Sequence, residues 1–239
     1  MDLTDKITIV TGASSGLGKA FSEAFINEGA TVYGLARSEG KLNHIHEEFG
    51  NRFRPITMDV TNHDAIEEWV KETFSENHAP QVLVNNAGLA RFADIDELTL
   101  DDWHSMINTN LNGTFYITRH IVPYMKQQKD TCHIINIASI AGKVAGEKMT
   151  GYNASKFGVR GFTEALFKEV RYEGIKVTCF LPGSSNTHFF DRIDGVEAHD
   201  NMLQPADVAQ RLVDVIETPD NFLVDEVVMR PLNPKPPER

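Results

Sequence analysis

Several features that mark other protein classes are scarce in this sequence. Two cysteines among 239 residues are too few for a disulfide framework. No apolar run approaches the roughly 18 residues that a membrane-spanning helix needs. Glycine (17) and proline (10) are too few for a fibrous or low-complexity chain. Lysine and arginine number 23 against 34 acidic residues, and the net charge of -11 disfavours a nucleic-acid partner.

The first residues also lack the basic segment of a secretory signal. The stretch MDLTDKITIVTG carries acids there, and its apolar part is short. The chain is 41% hydrophobic and long enough to bury a sizeable core. We therefore expect a soluble protein of the reducing cytoplasm.

What the sequence does contain is an alternation of two hydrophobic patterns. Short β-branched runs alternate with longer amphipathic segments. Strands separated by helix-length segments predict right-handed crossovers, and hence a doubly wound parallel α/β sheet with helices on both faces. The predicted strands cover residues 6–11, 30–36, 52–58, 81–87, 132–139, 175–183 and 222–229. No linker divides the chain, so residues 1–230 are predicted to form one domain, followed by a proline-rich arm over 231–239.

The most specific local motif is TGASSGLG (11–18), which follows the first predicted strand and opens the first predicted helix. Glycines at 12, 16 and 18 allow a tight turn in which the backbone approaches a pyrophosphate at the helix N-terminus. The spacing differs from the commoner G-x-G-x-x-G fingerprint. A purely structural turn is the alternative, but its position at the start of a strand–helix repeat favours dinucleotide binding.

The end of the second predicted strand bears on which dinucleotide binds. An acidic residue there would hold ribose hydroxyls, whereas an arginine suits a 2′-phosphate. The sequence has Ala36 at this point and Arg37 after it, and the Arg37 guanidinium and the Ser38 hydroxyl can both reach a phosphate. We therefore predict NADP(H) rather than NAD(H). The alternative is that Arg37 is a solvated surface cation.

A tyrosine and a lysine four residues apart indicate the chemistry. Tyr152 and Lys156 lie in a predicted helix, where this spacing puts both side chains on one face. A nearby ammonium lowers the pKa of a phenol, which would let Tyr152 exchange protons near neutral pH. Ser139 ends the fifth predicted strand, at the crevice over the carboxyl ends of the sheet. Tyr–Lys pairs are common on solvated helix faces, so the prediction depends on the coincidence with Ser139 and the glycine turn.

In order and spacing, six motifs resemble those of the compact branch of the short-chain dehydrogenases/reductases: TGASSGLG, NNAG (85–88), Asn110 in NTNLNG, Ser139, YNASK and PGSSNT (182–187). The resemblance covers essentially the whole chain. It implies a Rossmann-type sheet of seven parallel strands. It also implies an oxidoreductase that transfers a hydride reversibly between a nicotinamide and a carbonyl or secondary alcohol.

The resemblance implies four catalytic residues. Tyr152 is expected to act as general acid/base, and Ser139 to bind the substrate oxygen where negative charge develops. Lys156 is expected to lower the pKa of Tyr152 and to hold the nicotinamide ribose. Asn110 is expected to bend its helix and to hold a water molecule that links Lys156 to solvent.

The same resemblance implies the cofactor contacts. Asp59 matches the adenine contact, and Ser185 stands where an apolar residue is common, so its contact is expected through the backbone. The full expected set is Gly12, Ser14, Ser15, Gly16, Leu17, Gly18, Arg37, Ser38, Asp59, Val60, Asn86, Ala87, Gly88, Tyr152, Lys156, Pro182, Gly183, Ser185 and Thr187.

The substrate pocket is predicted to form from three loops above the sheet, residues 89–95, 140–150 and 184–204. Their side chains are largely apolar, and the third loop is expected to act as a lid. The alternative is that Lys143, Glu147 or Lys148 reaches in to recognise a charged group. The carboxy-terminal stretch LQPADVAQRLVDVIETP resembles that of family members that oxidise 3-hydroxy acids such as serine, which adds this substrate class to the general carbonyl or alcohol.

Other reactive residue types are expected to take no part. The nine histidines, among them His44, His46, His63 and His188, show no metal-ligand grouping along the sequence, so no metal is predicted. Cys132 and Cys179 lie in predicted strands and are expected to be buried small apolar residues rather than nucleophiles.

The expected partners are a small-molecule substrate and further copies of the chain, with no nucleic acid and no membrane. By resemblance, helices around 101–127 and 150–173 form the contacts of a homodimer or homotetramer. Two alternative functions stay open, an NAD(H)-dependent alcohol dehydrogenase and a regulatory protein that senses a dinucleotide without turnover. The second is disfavoured because such proteins usually lose a catalytic residue, and all four are present here.

Overall fold

A sheet of seven parallel strands with helices on both faces forms the computed structural model, which describes residues 1–193 and 197–237. The strands of these residues are β1 (Ile7–Thr11), β2 (Thr31–Ala36), β3 (Phe53–Thr57), β4 (Val82–Asn85), β5 (Cys132–Ile137), β6 (Ile175–Pro182) and β7 (Glu226–Met229). The α-helices are α1 (Gly16–Asn27), α2 (Glu39–Phe49), α3 (His63–Thr73), α4 (Leu100–Met106), α5 (Gly113–Met125), α6 (Thr150–Val170) and α7 (Pro205–Ile216). The predicted fold class is confirmed.

The predicted strands are all present, with ends trimmed by a few residues. The largest difference is at β7, which begins at Glu226 rather than at residue 222. Before Asp225, whose carbonyl accepts from the Cys179 N–H, the preceding residues are bonded to side chains of β6. Lys176 Nζ donates to the Pro219 carbonyl at 2.6 Å, and Thr178 Oγ1 donates to the Val224 carbonyl at 2.6 Å. These bonds hold the chain beside the sheet until it enters the ladder.

The two faces of the sheet carry separate apolar layers. Successive side chains of a strand point to opposite faces, so Ile9 packs with α3, α5 and α6, whereas Val10 packs with α1, α2 and α7. Phe21 and Phe25 of α1 are fully buried in the second layer. Strands covered on both sides need apolar residues at nearly every position, which explains the continuous apolar runs of the sequence.

The strand order places the crevice of the sheet. It runs β3-β2-β1-β4-β5-β6-β7, so the chain reverses its direction of travel across the sheet between β1 and β4. The loops that follow these two strands leave in opposite directions and open a crevice over their carboxyl ends. The glycine turn follows β1, and Asn86, Ala87 and Gly88 follow β4.

Two further expectations concern the surface of the molecule. Of the predicted arm 231–239, residues 231–237 form no helix or strand, and the last two lie outside the described residues. Among the described helices, none combines the length and the apolar character that crossing a bilayer requires.

A fully buried histidine lies in the middle of the sheet. His133 of β5 is flanked by β4 and β6, and its Nε2 lies 2.8 Å from Thr178 Oγ1. Its Nδ1 has no hydrogen-bond partner among the described residues. Burial, helped by the charge of Lys176, lowers the pKa of His133 to about 3, so the folded protein holds the imidazole neutral.

His133→Gln is expected to remove part of the acid sensitivity of the fold. The unfolded chain protonates His133 near its ordinary pKa of 6.5, whereas the folded chain does so only near 3. The stability that depends on neutral His133 is therefore complete above pH 6.5 and is lost as the pH falls, by about 1.4 kcal/mol per pH unit. When the pH falls from about 7 to about 5, the free energy of unfolding measured in urea should decrease by about 2 kcal/mol more in the wild type than in the variant.

The matched control is His44→Gln, because His44 is exposed on α2. It should lose as much stability on acidification as the wild type. An equal loss in His133→Gln would contradict the assignment of the acid sensitivity to His133.

Candidate active site

The turn after β1 requires glycine at three positions. Gly12 and Gly16 have positive φ angles of 69° and 54°, which side-chain-bearing residues rarely adopt. A Cβ on Gly18 would lie 2.2 Å from the carbonyl oxygen of Gly12. The turn is therefore closed by direct backbone contact, and α1 begins within it.

The N-terminus of α1 offers its backbone N–H groups to a ligand. Ser15 precedes the helix in an extended conformation and makes no side-chain capping hydrogen bond, and the first turn has no acidic residue. Unpaired N–H groups and the helix dipole together favour an anion at this point. Ser14 and Leu17 lie partly exposed beside them.

The segment after β6 crosses this turn. A Cβ on Gly16 would lie 3.3 Å from Thr187 Cβ, so Thr187 lies directly over the glycine turn. Pro182 ends β6, and the Gly183 N–H donates to the Met229 carbonyl at 2.8 Å. The fold thus brings the predicted motifs 11–18 and 182–187 together.

A small backbone bridge closes the base of the third predicted loop. Ser185, which is buried, pairs with Leu203 as an isolated parallel bridge. The Asn186 N–H donates to the Leu203 carbonyl at 2.8 Å, and the Leu203 N–H donates to the Ser184 carbonyl at 3.0 Å. The segment between contains a short 3-10 helix (His188–Arg192), and its residues 194–196 lie outside the described residues, so the lid stays a prediction.

The turn after β4 is bonded to the end of β1. Thr11 Oγ1 accepts hydrogen bonds from the backbone N–H groups of Asn86 and Ala87, each at 2.9 Å. Asn86 Nδ2 donates in return to the Thr11 carbonyl at 2.9 Å. The next residue, Gly88, approaches the other half of the site, since a Cβ on it would lie 3.4 Å from Lys156 Nζ.

The residues expected at the adenine end follow β2 and β3. Arg37 and Ser38 are exposed, directly after the buried Ala36, and Arg37 forms no ion pair with the residues that the structure describes. Asp59 accepts two hydrogen bonds from Thr61, one from its backbone N–H at 2.9 Å and one from its hydroxyl at 2.8 Å.

Val60, another residue of the expected cofactor set, packs against a helix. It is buried, and a Cβ on Gly113 would lie 2.8 Å from Val60 Cγ2. The start of α5 therefore packs directly on the segment that follows β3.

Asn110 lies in a π-helical segment (Ile107–Asn112) between α4 and α5. Its Oδ1 accepts from the Leu89 N–H at 2.8 Å, and its Nδ2 donates to the Leu89 carbonyl and to Ser155 Oγ, each at 2.9 Å. The expected distortion of the helix at Asn110 is thus present, in the form that recurs at functional sites. Both amide hydrogens of Asn110 are used to join the β4 turn to α6.

Three side chains meet at the carboxyl edge of β5. Ser139 follows the strand, and its Oγ accepts from the Ala141 N–H at 3.1 Å, which leaves the hydroxyl proton free to donate. Tyr152 and Lys156 are both buried in the first turns of α6, with Nζ 5.9 Å from the phenol ring centroid. Lys156 Nζ is held by the Ile137 carbonyl at 2.9 Å.

Burial controls the titration of this pair. It raises the pKa of Tyr152 to about 12, and the neighbouring Ser139 hydroxyl offsets part of that rise. It also lowers the pKa of Lys156 to about 8, with a small opposing effect of Cys179. Burial of the phenol therefore dominates its titration, and the expectation that Lys156 lowers the pKa of Tyr152 stays a prediction.

Aromatic side chains enclose the Tyr152 ring. The ring centroids of Phe92 and Phe189 lie 6.1 and 5.9 Å from it, and Phe190 packs edge-on against Phe189. The surrounding apolar cluster includes Met106 and further residues of all three predicted loops.

The charged side chains of the second predicted loop are not part of the wall around Tyr152. Lys143 pairs with Glu226, and Lys148 Nζ pairs with Asp94 Oδ2 at 2.8 Å. Both lysines, like Glu147, are exposed. The wall around Tyr152 is thus apolar, as the first of the two sequence interpretations predicts.

The structure also shows residues that the sequence argument missed. Thr11 bonds the turn after β4, and Ser155 bonds Asn110. Both residues lie within the motifs TGASSGLG and YNASK, but the sequence argument assigned roles only to other residues of these motifs. The backbone carbonyl of Ile137, which holds Lys156, leaves no signal in a sequence. Cys132 and Cys179 are buried and unpaired, and burial raises the pKa of their thiols to about 12 and about 11, so neither thiol is an available nucleophile.

Asn110→Ala is expected to destabilise the fold strongly. The change leaves the N–H and C=O of Leu89 without their partner, which costs about 1–3 kcal/mol for each unpaired group. It also removes one of the two hydrogen bonds of the Ser155 hydroxyl, which still donates to the Tyr152 carbonyl. Urea unfolding should show a total loss of about 2 kcal/mol or more in the free energy of unfolding.

Asn112→Ala is the matched control, because Asn112 lies in the same π-helical segment and bonds only the exposed Asn108 side chain. It should cost less than about 1 kcal/mol. Equal stability of the two variants would contradict the joining role of Asn110.

Comparisons with known proteins identify the family of the chain. The family model described as short chain dehydrogenase matches residues 6–196. An uncharacterised oxidoreductase of Staphylococcus saprophyticus is 34% identical over 236 residues, which are 97% of this chain and 100% of that protein. A solved closed form of serine dehydrogenase complexed with NADP+ has 32% identity and a TM-score of 0.88, over 94% of each chain. Serine dehydrogenase from Escherichia coli has 32% identity and a TM-score of 0.83, over 94% of this chain and 97% of that one. The chain is therefore an oxidoreductase that belongs to the short-chain dehydrogenase family.

Proposed function

We propose that this oxidoreductase transfers a hydride between NADP(H) and a carbonyl or secondary alcohol, with Tyr152 as general acid/base. The observation that carries the proposal is the meeting of Ser139, Tyr152 and Lys156 at the edge of β5. Gly88 lies between Lys156 and the turn after β4, which is bonded to Thr11 of β1. A regulatory protein without turnover would have no need to keep Tyr152 and Lys156 buried beside Ser139.

The residues of the crevice fit a dinucleotide. Gly12, Gly16 and Gly18 let the turn after β1 close tightly, and the unpaired N–H groups of α1 suit a pyrophosphate. When bound, the nicotinamide supplies or accepts the hydride. Asp59 and Val60 are assigned to the adenine end, and Asn86, Ala87, Gly88, Pro182, Gly183, Ser185 and Thr187 to the nicotinamide half.

The choice of NADP(H) depends on the end of β2. Ala36 is buried and uncharged, so no carboxylate ends β2 itself, and Arg37 and Ser38 stand exposed before α2, whose first residue is Glu39. A guanidinium, a hydroxyl and helix N–H groups are the donors that bind a 2′-phosphate. The NADP+ carried by the similar serine dehydrogenase supports the same choice.

The proton chemistry follows from the burial of the pair. With its pKa raised to about 12, Tyr152 is a protonated phenol at neutral pH and can give its proton to a carbonyl oxygen as the hydride arrives. The free hydroxyl proton of Ser139 donates to the same oxygen and stabilises the charge that develops on it. Lys156, with its pKa at about 8, is still largely charged at neutral pH and stabilises the phenolate that remains.

Asn110 acts in this proposal as a positioning residue. Its side chain holds the backbone of Leu89 and the hydroxyl of Ser155, which lies one residue before Lys156. The position of Lys156 relative to Gly88 is thereby set, and so is the position of its charge relative to the phenol.

The walls of the site favour an apolar carbonyl compound. Phe92 and Phe189 flank Tyr152, and the lysines of the neighbouring loop are paired with other acids. An aromatic or branched ketone would exchange water for these rings without an unpaired charge. A 3-hydroxy acid such as serine is the second candidate substrate, supported by the similarity to serine dehydrogenases.

The apolar faces of α5 and α6 support a homo-oligomer as part of the same proposal. Phe115 is 41% exposed and Phe157 is 43% exposed on these helices. Large exposed aromatic side chains on adjacent helices are typical of subunit contacts.

Arg37→Ala is expected to weaken NADPH binding by about 10- to 100-fold, because a charge-assisted hydrogen bond to phosphate contributes about 1.5–3 kcal/mol. NADH binding should be unchanged, since NADH lacks the 2′-phosphate. Fluorescence titration of the purified protein with each cofactor measures both effects. Lys41→Ala, at an exposed cation of α2, is the control and should leave both affinities unchanged. Equal affinity of the wild type for NADPH and NADH would overturn the choice of NADP(H).

Tyr152→Phe is expected to lower kcat by about 10²- to 10⁴-fold, the range that general acid/base catalysis supplies, with the affinity for NADPH unchanged. Tyr172→Phe is the control, because Tyr172 is 82% exposed and distant along α6 from the site. Initial rates are measured with NADPH on aromatic and branched ketones, and with NADP+ on L-serine and other 3-hydroxy acids.

The two substrate sets separate the candidates. Turnover of the ketones alone supports the apolar pocket, and turnover of the hydroxy acids alone supports the serine-like assignment. Cofactor binding without turnover of either set, together with equal behaviour of Tyr152→Phe and the wild type, would contradict the catalytic proposal.

A further inference from the structure

Away from the crevice, α3 and α5 bring two histidines and a glutamate together. His63 is the first residue of α3, and Glu67 follows one helical turn later on the same face. His120 projects from α5, and its Nε2 lies 3.1 Å from Nε2 of His63. One ligand atom from each of the three residues lies within 4.8 Å of the other two. The sequence interpretation found no metal-ligand grouping because His63 and His120 are 57 positions apart.

We propose that His63, Glu67 and His120 bind a divalent transition-metal ion, for which Zn²⁺ has the best-matched chemistry. Imidazole nitrogen and carboxylate oxygen are ordinary Zn²⁺ ligands, and three protein ligands leave a fourth position for water. Two ligand atoms on a tetrahedral Zn²⁺ lie about 3.3 Å apart, close to the separation of the two imidazole nitrogens. Mg²⁺ and Ca²⁺ prefer all-oxygen sites and do not match.

The surroundings of the three residues favour this occupant. His63 Nδ1 lies 3.1 Å from Asp64 Oδ1, and this contact makes Nδ1 the protonated nitrogen of the neutral ring and leaves Nε2 free to bind a metal. The groove beside them along α3 is lined by four acids and one lysine: Asp64, Glu67, Glu68, Lys71 and Glu72. An acidic groove raises the local concentration of cations.

Two contacts compete with the metal. With Nδ1 of His63 protonated, Nε2 of His120 donates to Nε2 of His63 at 3.1 Å, so His120 must carry its proton on Nδ1 instead when both rings bind the ion. Lys71 Nζ donates to Glu67 Oε1 at 2.6 Å, so Glu67 must exchange this partner for the ion. The Lys71 side chain is 67% exposed, and ion pairs of this kind are weak. The exchange therefore costs little free energy, and removal of the Lys71 ammonium should strengthen metal binding rather than weaken it. The bound ion would join α3 to α5 on the face of the sheet opposite to α1.

The test is competition between the tag-free protein and a chromogenic zinc chelator. The wild type is expected to bind one Zn²⁺ per chain and to bind no Mg²⁺ at the same concentration. His120→Gln and Glu67→Gln should each lower the Zn²⁺ affinity by about tenfold or more, and Lys71→Met should raise it, since Glu67 is then released. Zn²⁺ should also raise the thermal midpoint of the wild type.

His44→Gln is the matched control, because His44 also lies on a helix surface near a glutamate, Glu47, while Nδ1 of the neighbouring His46 is bonded to the Phe53 carbonyl. Its Zn²⁺ affinity should equal that of the wild type. Where His120→Gln loses its fold by circular dichroism, His63→Gln takes its place. The proposal is overturned if the wild type binds no Zn²⁺, if the glutamine variants at positions 63, 67 and 120 bind it as the wild type does, or if Lys71→Met binds it more weakly.

Discussion

The hydroxyl of Thr11 joins the two strands between which the crevice opens. It accepts the N–H groups of both Asn86 and Ala87, where the β4 turn would otherwise leave two donors unpaired in a largely buried place. This bond fixes the distance between the glycine turn and Gly88. Because Gly88 lies next to Lys156 Nζ, the same bond also sets the position of the glycine turn relative to Lys156.

Desolvation is the second determinant of the site. Tyr152 is 6% exposed and Lys156 is 4% exposed, and burial disfavours the charged form of each. A neutral phenol and a weakly held ammonium proton are therefore the resting condition of the pair. In the proposed function, a pair in this condition would donate the phenol proton to a carbonyl oxygen.

Much of this arrangement can be predicted from the sequence, because the signals are local. The seven strands follow from apolar runs covered on both faces, and the glycine turn follows from positions where no Cβ fits, as at Gly18. Tyr152 and Lys156 share a face through helical spacing alone. Features that depend on contacts between residues far apart in the sequence cannot be predicted in this way. The direction of the pKa shift at Tyr152 depends on how completely Phe92 and Phe189 cover it, and the pairing of His63 with His120 depends on how α3 meets α5.

The bridge between Ser185 and Leu203 has a consequence for how such a scaffold diversifies. The bridge joins the two ends of the segment, so the contacts between these ends do not depend on the residues between 185 and 203. For a loop whose ends are already joined, doubling the length adds only about 0.6 kcal/mol to the closure entropy. Insertions and replacements in this segment can therefore be accommodated while the sheet, the glycine turn and the residues of α6 stay as they are.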